Sequence, residues 1–356
     1  MKSSSGAHFV ALDHVRALAA FLVFAWHFTH AADGFPVPFD YTPLVFPLAL
    51  LDEGHTGVAL FMTLSGYLFA KLLDGSHIHY PAFLWNRALR LLPLLLVVVT
   101  VVGLMKAWRG ENLADYLDAV LMGALYPSLP NGAWSITVEM HYYLVLPLFL
   151  WLLRRSRYLP LVVVAAALAL RTGLYLQRGE VQIPAYWTLV GRIDQFAFGM
   201  MLFHFRAWFG RHLWVSVGAV LAFMAFYAWF DAVGGFYRYP AYPSSNPLWI
   251  VLPTLEGLGY GIAIACYDAR LRASGSWLSR VVARYGDYSY AIYLLHVFVV
   301  FHMARFVHEH VMDLSNFYVA CLWALVGFAL MGIPGYFSMR FIEMPFLRMR
   351  RRYVRA

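Results

Sequence analysis

Ten stretches of roughly 20 mostly apolar residues recur along this chain, parted by short polar segments, and a helix of that length is what crosses the hydrocarbon of a bilayer. The expected spans are 10–32, 55–73, 91–108, 134–153, 159–176, 187–203, 212–231, 247–267, 285–303 and 317–337, with 113–129 as a short surface or re-entrant helix. Strands of a membrane barrel are shorter and alternate in polarity, so the pattern excludes one. A water-soluble fold is excluded by the charge deficit: only 13% of residues are charged and 62% are hydrophobic, whereas soluble domains carry about 25% charged residues. The expected fold is therefore an all-α, polytopic membrane bundle forming one domain over 1–356, with its core at 10–337 and a basic tail at 338–356. Cys266 and Cys321 are the only cysteines, which excludes a disulfide scaffold and a CxxC zinc cluster, and no metal site is expected. Asp13, His14 and Arg16 open the first apolar run, so it reads as a retained helix, not a cleaved signal peptide.

The net charge of +8 is scattered between apolar runs, which is how membrane topology is written; no nucleic-acid partner is expected. With the first residue inside, 19 of the 27 Lys and Arg residues fall in cytoplasmic segments. Six fall outside: Lys106, Arg109, Arg171, Arg178, Arg238 and Arg305. Asp33 and other acidic residues join that outer side. The bias puts both termini in the cytoplasm. The Arg-rich tail reads as an attachment to anionic lipid headgroups.

Ionisable groups inside spans are costly and face the bundle interior or a wet cavity. Arg16 and His27 stand on one face of the first span, ~16 Å apart along the axis. Arg16 either snorkels to headgroups or binds a ligand; His27 is either a hydrogen-bonded buried residue or a base. In NGAWSITVEMHYYLVLP, Glu139 reaches a depth similar to His27, where a carboxylate pins helices or orients a base. His141 ranks below it. His296, in DYSYAIYLLH, also lies towards the outer half. Arg192 and Asp194 are two residues apart, so each serves a different neighbour. Ser65–Gly66 permits close helix contact. Ser65 lacks the elbow of a nucleophilic serine. Arg87 and Arg90 share a face just before the third span, either as topology anchors or as a clamp for the phosphates of a cytoplasmic donor.

The ordered set LDHVRALAAFLVFAWHF, GHTGVALFMTLSGYLF, FLWNRALRLLP, AWSITVEMHYYLVLP, RIDQFAFG, YSYAIYLLH and FIEMPF resembles the membrane acyltransferase type 3 family, whose members O-acylate cell-surface glycans and some small molecules. It runs from Leu12 to Phe346. Met140 stands where the family pattern has an acidic residue, and the SGNH-type esterase-like domain of some relatives is not expected. The resemblance implies a multi-pass protein of the bacterial inner membrane with no permanently bound cofactor. It implies acyl-CoA, usually acetyl-CoA, as co-substrate, and a hydroxyl of a glycan, glycolipid or small molecule as acceptor. It assigns catalysis to His27 with Glu139 as support, and donor binding to Arg16, Arg87 and Arg90. Direct transfer and an acyl-His27 intermediate both remain open. The alternative reading is a transporter or flippase of acyl or glycan compounds, although neither an inverted repeat nor paired broken spans are visible.

Overall fold

Leu, Val, Ala and Phe continue round most faces of the long spanning helices, whereas the shorter Val300–His310 buries only Val300, Ala304 and Val307 on one side. Leu96, Leu104, Leu176, Trp214 and Leu322 are each at least 60% exposed on the outside of the bundle, a surface suited to lipid. The computed structural model describes residues 9–355 apart from 32–33, 74 and 272–275. Lys2, Asp33 and Arg272, which entered the charge asymmetry, and Ala356 lie outside the described residues.

The main helices are α1 (Val10–Thr29), α2 (Gly57–Leu73), α3 (Tyr80–Trp108), α4 (Leu113–Met122), α5 (Trp134–Arg155) and α6 (Pro160–Arg178). They continue with α7 (Leu189–Phe203), α8 (Leu213–Ala232), α9 (Leu248–Arg270), α10 (Trp277–Leu295), α11 (Val300–His310) and α12 (Phe317–Leu330). From α12 the chain stays helical to Leu347 through a π-helical turn at Ser338–Glu343. Two-residue strands at His77–Ile78 (β1) and Val354–Arg355 (β2) pair antiparallel.

Eight helices among the described residues are long and apolar enough to cross a membrane, or nine if the bent pair α10–α11 is one span. The expected span 187–203 falls short as α7, which has 15 residues. Its apolar side chains face protein: Phe196, Ala197 and Met200 are at most 1% exposed. At its crossing with α2, a Cβ on Gly199 would come within 2.0 Å of the Thr63 carbonyl oxygen, and one on Gly66 within 2.2 Å of that of Phe196. Only glycine permits that approach.

Three boundaries differ from expectation. α3 begins at Tyr80, because Pro81 suits a first turn and His79 caps it by accepting from the Ala82 amide. Arg87 and Arg90 therefore lie within the helix. α10 breaks at His296–Phe298, a 3₁₀ turn, and α11 leaves at 60°. The expected tail at 338–356 is helical as far as Leu347.

Buried ion pairs pin the centre. Arg171 donates to Asp194 at 2.7 Å, and Arg192 to Glu256 at 3.2 Å, so Arg192 and Asp194 do serve different neighbours. Arg171, expected among the external loop charges, is instead 0% exposed because Asp194 and the Gly191 carbonyl receive it.

Candidate active site

α1, α2, α3, α5 and α10 enclose a cavity of about 200 Å³, and Arg16, Arg87, Arg90 and Glu139 all line it. The helical register explains the first three: Asp13 and Arg16 stand one turn apart, as do Arg87 and Arg90. Arg16 pairs with Asp13. Arg90 donates to Glu343 at 2.6 Å and sits over the Tyr290 ring. Arg87 lies over the rings of Phe69 and Phe83. Arg350 and Tyr353 complete this end of the cavity. The segment expected to lie on lipid headgroups folds back on α3, because Asn86 offers the Arg351 backbone two hydrogen bonds, while Arg348, Arg351 and Arg352 stay exposed. The Arg-rich composition gave no hint of this; the buried amide at Asn86 was the available signal.

Half-way along, the Glu139 carboxylate accepts from Ser65 Oγ at 3.2 Å and from the Tyr143 hydroxyl one turn away. The Arg87 guanidinium bears on the same hydroxyl. Glu139, expected beside His27, is held by these two partners instead of by the imidazole. Equal depth does not bring the two into contact; Glu139 points to the cavity wall, and no hydrogen bond joins it to His27. Ser65 is its partner.

His27 stands beyond the far end of the cavity, where Ser135, Phe61 and Tyr293 close it. Ser135 Oγ donates to the Tyr293 hydroxyl, which donates to the Gly132 carbonyl. The Phe61 and Tyr293 rings are 6.1 Å apart, and His296 follows at 5.9 Å from Tyr293. His27 Nδ1 is 2.8 Å from the Val23 carbonyl oxygen. Only a protonated nitrogen bonds a carbonyl, so Nδ1 carries the hydrogen and Nε2 keeps its lone pair. Nε2 has no hydrogen-bond partner among the described residues. His296 is fixed in the same way, its Nδ1 being 2.6 Å from the Tyr293 carbonyl oxygen. Its Nε2 lies 3.4 Å from His27 Nδ1. Sequence depth placed His296 near His27, but the contact depends on the 3₁₀ turn that ends α10.

Outside His27, Trp26 packs with His55, Phe236 and Tyr237. His30 Nε2 meets Asp52 at 3.1 Å and His55 Nε2 meets Glu53 at 2.8 Å. Burial pushes the Asp52 carboxyl above its ordinary range, while His30 draws it back down. His141 is turned away, its Nε2 on the Ala124 carbonyl. No group of three or more His, Cys, Asp or Glu suited to a metal occurs among the described residues.

The arrangement has a cationic pocket at one end and, past an aromatic layer, an imidazole with a fixed lone pair. Such a pair of features suits an anionic group held at one end and a proton taken at the other.

The family described as "Acyltransferase domain" matches residues 9–333. A curated protein of Komagataeibacter xylinus, named "Putative membrane-bound transacylase BcsY", is 29% identical over 185 residues. That match covers 45% of this chain and 47% of the relative, so the chain spans about half the relative's length. No solved structure matches.

Proposed function

As a multi-pass membrane protein that belongs to the acyltransferase family matched over 9–333, this chain, we propose, moves an acyl group, acetyl first among them, from cytoplasmic acyl-CoA to a hydroxyl of an extracytoplasmic glycan, glycolipid or related acceptor. The observation that carries the reading is the cavity itself, with Arg16, Arg87, Arg90 and Arg350 at one end and a lone pair on His27 beyond the other. Guanidinium groups suit the phosphates of coenzyme A, whose slender arm fits a narrow passage. The thioester passes the Phe61–Tyr293 layer to meet the acceptor, which enters past Trp26 and Tyr237.

His27 Nε2 takes the hydroxyl proton as the oxygen forms its bond to the thioester carbon. The carbon–sulfur bond breaks, and the leaving thiolate recovers that proton from the imidazolium. His296 Nε2 accepts a share of the Nδ1 hydrogen while His27 is charged. The bacterial inner membrane, with both chain ends in the cytoplasm, is the setting this chemistry needs.

The test is incubation of the purified protein with labelled acetyl-CoA and candidate surface glycans, with the label located by mass spectrometry. His27→Gln keeps a hydrogen-bonding group but accepts no proton, so transfer should fall roughly 10²–10⁴-fold while donor binding persists. Near wild-type transfer in that variant overturns the mechanism.

A further inference from the structure

Residues 348–355 lie outside the stretch that matches the family, yet they are built into the cavity. Asn86, 0% exposed, grips the backbone of Arg351 from both sides: its Nδ2 donates to the Arg351 carbonyl at 2.7 Å, and its Oδ1 accepts from the Arg351 amide at 2.9 Å. The His79 amide donates to the Tyr353 carbonyl at 2.8 Å. The Tyr353 ring is 1% exposed and packs on Phe83. β1 and β2 then fix the register, His77 to Arg355 and Ile78 to Val354. One residue before the Asn86 grip, Arg350 joins the cavity wall beside Arg16, Arg87 and Arg90.

Arg16 and Arg90 have carboxylate partners in Asp13 and Glu343. Arg87 is mounted on aromatic rings, and its Nε is buried without a hydrogen-bond partner. Burial and the nearby Arg87 and Arg90 lower the Arg350 pKa to about 10, so it remains a cation at neutral pH. Glu343 bears on Arg350 as well as on Arg90, and Asp13 and Asp287 line the same end, so the arginines are partly offset. A phosphate would add a multivalent acceptor where Arg87, Arg90 and Arg350 converge.

We propose that segment 348–355 is a donor clasp, in which docking on Asn86 and β1 presents Arg350 to a phosphate of a nucleotide-bearing acyl donor and so sets the preference for that donor over its phosphate-free arm. The clasp rests on the acyl-CoA reading above and adds to it a specificity residue from outside the family-matched region.

Calorimetric titration of the full chain in detergent, with acetyl-CoA and with acetyl-pantetheine, tests it. Arg350→Gln should weaken acetyl-CoA binding by about tenfold or more and leave acetyl-pantetheine unchanged. Arg350→Lys should fall between, because an ammonium keeps the charge but loses the fork. Asn86→Ala, which releases the segment, should repeat the Arg350→Gln loss in protein that stays monodisperse. If the wild type prefers acetyl-CoA and Arg350→Gln binds it equally well, the clasp is refuted and the donor reading survives. If Arg350→Gln weakens binding but Asn86→Ala does not, docking is refuted as the positioning device. If the wild type shows no preference for acetyl-CoA over acetyl-pantetheine, the donor reading fails, and the clasp with it.

Discussion

A histidine serves as a base at neutral pH when one ring nitrogen is held as a donor and the other is kept free. The Val23 carbonyl does the holding for His27, and His296 Nε2 at 3.4 Å shares the same hydrogen. On the proposed mechanism His296 acts as a positioning residue, weaker than a carboxylate because it brings no charge. His296→Ala should lower kcat by about tenfold, one hydrogen bond's worth, with donor KM unchanged. His296→Gln, whose carbonyl oxygen can accept, should restore part of the rate; equal loss in both variants would assign His296 to packing. Glu139 predicts the opposite split. Its carboxylate holds Ser65 and Tyr143 on the cavity wall, so Glu139→Gln should raise donor KM several-fold and leave kcat near wild type. A kcat loss with unchanged KM would return Glu139 to the base. These residues were legible as a set because depth along a helix follows from counting residues at ~1.5 Å each. Their partners were not, since azimuth and the end of α10 decide which side chains meet.

Hydropathy reports that a run is apolar without saying whether its neighbours are lipid or protein. The long runs that became α1, α2, α5, α8 and α9 were legible for that reason; the run at 187–203 that became α7 was legible too, but its burial was not. Its Phe196 and Met200 look like membrane-facing residues in sequence but pack against the interior. The Gly66–Gly199 crossing is what holds α7 there, and Ser65–Gly66 had marked one side of it. Gly199→Ala forces a Cβ onto the Thr63 carbonyl, which cannot give way as a flexible side chain would. Overpacking of this kind costs about 1–3 kcal/mol or more. Thermal unfolding in detergent should show a clear drop in Tm for Gly199→Ala, against little change for Gly218→Ala on the open face of α8, where a Cβ meets nothing within 4 Å. Equal melting of the two variants would mean that the crossing is looser than its geometry.

At the scale of the whole molecule, the number of crossings follows from which ends of the helices touch. Phe9, Arg16, Arg350 and Tyr353 line the same end of one cavity, so the described chain begins and finishes at one end of the bundle. That demands an even count of passes. α2 and α9 finish together there, since Lys71 binds Asp268. α8 starts there too, because Arg270 donates to the Gly210 carbonyl. α6 finishes at the opposite end, where the Tyr175 hydroxyl meets the Ser245 carbonyl just before α9. Eight helices qualify alone and nine with α10–α11 as one bent pass; an even count then predicts that α7, short as it is, carries the chain back between them. The arginine end also carries Arg154, Arg155, Arg157, Arg206, Arg211 and Arg284, and removing buried Arg171 from the loop charges sharpens the asymmetry further. Positive charge of this bias predicts that this end faces the cytoplasm. With Cys266 and Cys321 replaced by serine, Glu111→Cys beyond α3 should react with an impermeant maleimide on intact cells. Arg352→Cys should react only after permeabilisation. The reverse pattern would invert the protein and put the arginine mouth outside, away from any cytoplasmic donor; labelling of both sites on intact cells would break the even count, and α7 would then have to stay on one side of the membrane.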